Sequence, residues 1–256
     1  MDKTIGCAAQ TAPTRIPRPL VHVRTLGRFS VLVDGEPLRF GRKLPRKPLE
    51  LLKATVAMGP SAVCRARLAD ALWPDAEADA AFNALDMALL RLRRLLGGAE
   101  TVLQRGGRIA LNATCCAIDA AQLEHLARVR AEAPGADGAA ATLRVAFSLY
   151  RGEFLPDEEA AWAIPTRERL RECFVRLVAE HANGLERRGA WEEVLHLFHQ
   201  AMGVDEGCEA FGQGVVRASV RLGREVEAAA ARQRLGRLRE AQARLAGTGF
   251  QSVGYR

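Results

Sequence analysis

No run of apolar residues in this 256-residue sequence is as long as a membrane span, because Arg or Glu interrupts every candidate. The N-terminus, MDKTIGCAAQTAPTRIPRP, has no apolar core of the kind a signal peptide needs. These two absences predict a cytoplasmic chain that does not engage a membrane. The six cysteines (Cys7, Cys64, Cys115, Cys116, Cys173, Cys208) form no C-x-x-C pair and no zinc-spaced set with histidine. Most of them are expected as small buried apolar residues. His196 and His199 stand three apart, half of a metal site, but no Asp, Glu or Cys completes it at a fitting spacing. An ordinary helix surface is the better reading, and neither metal nor cofactor is expected. G-x-S-x-G, P-loop and H-E-x-x-H patterns are missing, and Gly212 with Gly214 lacks the third glycine of a dinucleotide loop. Catalysis is therefore not expected.

What is present is an uneven charge. Residues 21–115 hold 15 Lys+Arg against 9 Asp+Glu, a net of +6, whereas residues 116–256 hold 19 against 20. A basic region followed by a neutral one predicts one part that meets a polyanion and one that does not. Ahead of both, residues 1–20 carry no periodicity and read as a flexible tail.

From Val21 the chain alternates at strand period, through Val23, Phe29, Val31 and Val33. Asp34-Gly35 is a hairpin turn, and Leu38 and Phe40 resume the alternation, so a small antiparallel sheet is expected over 21–41. Gly27 marks a kink or a close approach within it. GRKLPRK (41–47) is a basic loop leading into a helix that stops at Gly59-Pro60. Arg46 and Lys47 sit at that helix start, where backbone N–H groups face outward, and are candidates for holding a phosphate. A solvated helix cap is an equal reading. A short helix ends at Trp73-Pro74, and an acidic turn, DAEAD, leads to the next helix.

That next helix, predicted over 80–96, has two faces. Leu85, Leu89, Leu92 and Leu96 form one stripe for burial. Asn83, Met87, Arg91 and Arg94 form another, with Asn suited to adenine and Arg to guanine in a major groove. Asp86 and Leu90, near that face, count against nucleic acid. Gly97-Gly98 ends the helix, and a second hairpin follows with Arg105 and Arg108 about a Gly106-Gly107 tip. A basic hairpin after a helix-turn-helix is a wing whose arginines can reach a phosphate or a minor groove, with Arg93 as a further phosphate candidate.

The order sheet, helix, short strand, helix, helix, hairpin resembles the OmpR-type winged helix-turn-helix, in the variant of SARP-type bacterial activators. LADALWPD and LLRLRRLLGG carry the resemblance most specifically. It continues into LYRGEFLPDEEAAWAIPTRERL (149–170), which looks like the loop of the bacterial transcriptional activator domain, with Tyr150, Arg151, Gly152, Phe154, Leu155 and Trp162. Helices are expected over 118–131, 139–150 and 166–188. Beyond them Gly189 and Gly223 are 34 apart, with Glu193 and Glu227, and Val194 and Ala228, in the same register. That period is the tetratricopeptide signature. Gly212 and Gly214 inside a helix, and an Ala/Arg-rich last helix, predict loosely packed repeats or a need for a partner.

The fold class expected is α+β. A flexible tail (1–20) precedes a winged helix-turn-helix with small antiparallel sheets (21–115) and an all-α, tetratricopeptide-like activator domain (116–256). The resemblance implies a sequence-specific transcriptional activator, nucleoid-associated, whose partners are double-stranded promoter DNA at repeated half-sites, RNA polymerase and a second copy in a homodimer. No receiver domain and no Walker-type loop is present, so signal input, if there is any, is expected in the helical domain or in another polypeptide. The alternative is a tetratricopeptide-type interaction module whose winged domain no longer reads DNA.

Overall fold

The structure, a computed structural model, describes residues 21–39, 45–59, 62–132 and 138–248. The tail read over 1–20, Phe40 with loop residues 41–44, and the terminal residues 249–256 lie outside them. Three strands open the chain: β1 (Val21–Arg24), β2 (Ser30–Val33) and β3 (Glu36–Pro37). Asp34 and Gly35 both have positive φ, 53° and 85°, the two-residue turn that matches strand twist. The third strand is shorter than its alternation suggested. Its ladder ends at Pro37, which has no N–H to continue it, although the Leu38 N–H still reaches Val31 O at 2.8 Å.

Three helices follow, with a short strand between the first two: α1 (Arg46–Ala57), β4 (Val63–Cys64), α2 (Arg65–Leu72) and α3 (Ala78–Leu95). A single 3-10 turn, Ala99–Thr101, leads into the hairpin β5 (Val102–Arg105) and β6 (Arg108–Leu111). The hairpin and β4 make a three-stranded sheet, in the order β4-β6-β5. Leu85, Leu89, Leu92 and Leu96 are buried, as their spacing requires, in the core that also holds Leu51, Leu52, Leu68, Val102 and Ile109. On α2 it is Leu68, Ala69 and Leu72 that are buried.

One strand was not anticipated. β7 (Cys116–Ile118) pairs in parallel with β1 and makes a four-stranded sheet, β3-β2-β1-β7. Cys116 is buried and Cys115 half-buried, consistent with alternate faces. Directly after it, Asp119 opens α4 (Asp119–Glu132). Asp119 is 8% exposed, and its carboxylate accepts hydrogen bonds from the Thr25 N–H, the Thr25 hydroxyl, the Leu26 N–H and the Ala120 N–H, all at 2.7–2.9 Å. A buried carboxylate is tolerable only when its lone pairs are met in this way. It ties the start of the helical region to the corner of the first sheet.

The helical region continues as α5 (Ala139–Leu149), α6 (Ile164–Arg187), α7 (Trp191–Val204), α8 (Glu209–Arg221) and α9 (Glu225–Thr248). The loop between α5 and α6 returns to the first sheet: Leu26 bridges Phe154, and the Gly27 N–H donates to Glu153 O. Gly27 and Gly152 touch there, since a Cβ on Gly152 would sit 3.2 Å from the Gly27 Cα. This is the close approach that Gly27 signalled. Arg167 holds the loop through the carbonyls of Phe154, Leu155 and Glu158, and Lys53 of α1 pairs with Glu158 at 3.0 Å. Buried residues of both regions fall in one contiguous core.

The 34-residue period is real in three dimensions. Gly189 and Gly223 both have positive φ, 72° and 69°, and each ends a helix. The Ala190 N–H donates to Leu185 O and the Arg224 N–H to Ser219 O, the same helix-closing bond one period apart. Val194 and Ala228 are both buried. The loose packing expected from Gly212 and Gly214 is not found. A Cβ at Gly212 would lie 2.6 Å from Leu235 of α9, and one at Gly214 would lie 2.5 Å from the Phe198 ring of α7. The glycines let α8 approach both neighbours, which offsets their poor helix propensity.

Candidate nucleic-acid interface

The region with the wing presents one helix face and one hairpin tip. On α3, Asn83, Met87, Arg91 and Arg94 are all exposed, on the side opposite the leucine stripe. The C-terminal end of this helix is fixed tightly. Gly97 has φ 92°, the Gly98 N–H returns to Arg93 O, and the Leu96 N–H to Leu92 O. The next turn is pinned by a side chain: Arg93 donates from Nε (3.0 Å) and Nη2 (2.8 Å) to Val102 O, the first residue of β5. Arg93 thus ties the end of the helix to the start of the hairpin. Its fork is largely committed inside the molecule.

Lys47 is committed in a similar way. Its Nζ donates to Leu72 O at the end of α2 (3.0 Å), pairs with Glu50 (2.8 Å) and lies 5.4 Å from the centroid of the Trp73 ring. A cation over the last carbonyls of a helix is stabilising in itself. Arg46 is exposed at the first position of α1 and lines a groove with Phe29, Leu38 and Lys53, beside the first sheet.

The hairpin tip is a two-residue turn in which Gly106 (φ 54°) and Gly107 (φ 70°) both take positive φ. Arg105 and Arg108 are therefore direct cross-strand partners, and both are exposed. Like charges in that position repel. An anion bound between them would remove the penalty. Arg108 is also opposite Cys64 of β4, an exposed thiol at the start of α2. Backbone N–H groups of Arg67 and Ala66 hold the Cys64 pKa below its ordinary value. Among the described residues, no acid pairs with Arg91, Arg94, Arg105 or Arg108.

Of the two features that counted against nucleic acid, Asp86 meets a partner distant in sequence and Leu90 stays exposed. Asp86 pairs with Arg65 of α2 at 2.7 Å, and Arg65 also lies over the Phe82 ring at 5.3 Å from its centroid. The acid that adjoins this exposed face thus carries its own counter-charge. Leu90 is 42% exposed, beside Met87 at 49%. Sequence reasoning placed Leu90 near the face but gave it no role. Arg67, exposed on α2, was not singled out at all.

Elsewhere, His199 pairs with Glu227 of α9 at 2.8 Å rather than with His196, and among the described residues no group of three metal-ligating side chains converges. Among those residues no helix is long and apolar enough to cross a membrane.

Residues 118–247 match the family described as Bacterial transcriptional activator domain. No curated protein matches the sequence. The structure of Mycobacterium tuberculosis EmbR in complex with a low affinity phosphopeptide is similar in fold, with a TM-score of 0.63 at 20% identity. The match covers 85% of this chain and 59% of that one.

Proposed function

The chain belongs to the bacterial transcriptional activator domain family, as expected of a SARP-type regulator, and from that premise we propose that it binds promoter DNA sequence-specifically and activates transcription. In this reading residues 21–115 act as a winged helix-turn-helix module, and α3 enters the major groove. Asn83, Met87, Arg91 and Arg94 face base edges there, and Arg105 and Arg108 of the wing hold phosphates or enter the minor groove. Arg46 and Lys47 contribute at the margin. Arg93 serves by fixing the wing against the helix. The helical region, 116–256, recruits RNA polymerase and supports a homodimer on repeated half-sites, and the protein works in the cytoplasm at the nucleoid.

The observation that carries this reading is the set of four exposed arginines, Arg91, Arg94, Arg105 and Arg108, that pair with no acid among the described residues. The test is a titration of the full chain against duplex DNA over a range of salt. A DNA binder loses affinity as salt rises, with a log–log slope of about −0.9 per phosphate contacted. A slope near zero, or no binding, would refute it in favour of an interaction module with a silent wing.

A further inference from the structure

The exposed face of α3 is not uniformly polar. A helix turns by about 100° per residue, so Asn83, Met87, Leu90 and Arg94 share an arc of roughly 60°, while Arg91 stands roughly 40° beyond Met87. That arc is opposite Leu85, Leu89 and Leu92, all buried. Leu90 is therefore closer to the centre of the exposed face than Arg91. Met87 and Leu90 are 49% and 42% exposed, three residues apart, and form an apolar step between Asn83 and Arg94. On α3 they are the large hydrophobic side chains most exposed to solvent.

Covering such a pair with an apolar surface is favourable. The side chains around it fix what kind of surface that is. Arg94 and Arg91 flank it with positive charge, and the only acid adjoining it on the helix, Asp86, is neutralised by Arg65. A positively charged rim disfavours a basic or purely apolar protein partner and favours an apolar group carried by a polyanion. Within duplex DNA the major groove offers one such group, the 5-methyl of thymine.

We infer that Met87 and Leu90 read thymine by its methyl group, so that the preferred site carries thymine at the positions under the middle of α3. This rests on the DNA-binding reading above and deepens it. Asn83 then addresses an adjacent adenine and Arg94 a guanine on either side of the apolar step, and Arg91 contacts the edge of the site.

The test begins by selecting preferred duplexes from a random library with the full chain. Each thymine of the selected site is then replaced in turn by deoxyuridine, which removes the methyl and leaves the base pair intact. One or two positions should lose affinity by about fourfold each, the value of one buried methyl-sized group. In Met87→Ala or Leu90→Ala the matching position should become indifferent to the methyl. Both residues are exposed on a helix, so the alanine variants keep the fold, and thermal unfolding verifies this. A selected site at which no thymine is sensitive to uracil overturns the inference while leaving DNA binding standing. Failure to select any sequence removes the DNA-binding reading and the inference with it. Uracil-insensitive binding combined with lost self-association in the double alanine variant would assign the pair to a protein contact.

Discussion

Two arginine-bearing helices, α3 and α9, use the same side chain for opposite ends. On α9 and the turn before it, Arg224 pairs with Glu192, Arg234 with Glu206 and Arg239 with Glu209, each reaching across to α7, α8 or the turn between them. These pairs staple successive repeats whose apolar contact is narrow: on α9 only Ala228 and Leu235 are buried, among the side chains described there. On α3 the apolar stripe is broad, with Leu85, Leu89 and Leu92 buried, and the polar ties of the helix are made by Asp86 to Arg65 and by Arg93 to Val102 O. Its Arg91 and Arg94 are exposed and pair with no acid among the described residues. The division is one of degree, since Arg93 of α3 is committed to Val102 O and Arg232 and Arg237 of α9 are exposed.

That contrast can be broken most severely at Arg171. Its guanidinium donates to both carboxylate oxygens of Asp205 at 2.7 Å, and the Asp205 side chain is 3% exposed. Arg171→Ala would strand a buried carboxylate and cost about 3–5 kcal/mol, read as a lowered urea midpoint. If stability is unchanged, the paired arginines of the helical region are ornamental and the contrast fails. Arg91→Ala sits on the other side of the comparison. It should leave the melting temperature within error and cut discrimination between cognate and altered sites by about 1–3 kcal/mol. Arg105→Ala should weaken binding to all sequences alike and flatten the salt slope by about one unit. A change in sequence preference instead would move base reading to the wing. The smallest effect is expected at Arg234→Ala, which breaks an exposed pair worth at most about 1 kcal/mol and should leave DNA affinity untouched. A loss of DNA affinity there would mean that α9, too, faces the nucleic acid.

The parts of the fold legible in advance were those set by a few adjacent residues. Asp34-Gly35 and Gly106-Gly107 announced their turns because only such residues accept positive φ cheaply. The leucine stripe on α3 gave its buried side, and the glycines at 189 and 223 gave the repeat. The glycines at 212 and 214 misled, since propensity counts the cost of a missing side chain and not the neighbour that needs the space. Strand β7 was missed because three residues carry little periodic signal and its partner β1 is over 90 residues away. The candidate interface divides in the same way. Exposure of Asn83, Met87, Arg91 and Arg94 follows from spacing on one helix. The engagement of Lys47 with Leu72 O, of Arg93 with Val102 O and of Asp86 with Arg65 depends on where other elements come to rest.

By itself the sequence determined which residues turn, which face of each helix is apolar, where the excess positive charge lies and that the last repeats share one register. These are properties of neighbours along the chain, governed by backbone sterics and helical geometry. Only the tertiary structure decided which charges are already paired. It brought Asp119 onto the backbone of Thr25 and Leu26, set Gly152 against Gly27, and fitted α8 between Phe198 and Leu235. A charge is available to a partner only after the folded chain has made its own claims on it, and those claims come from residues that the sequence keeps far apart.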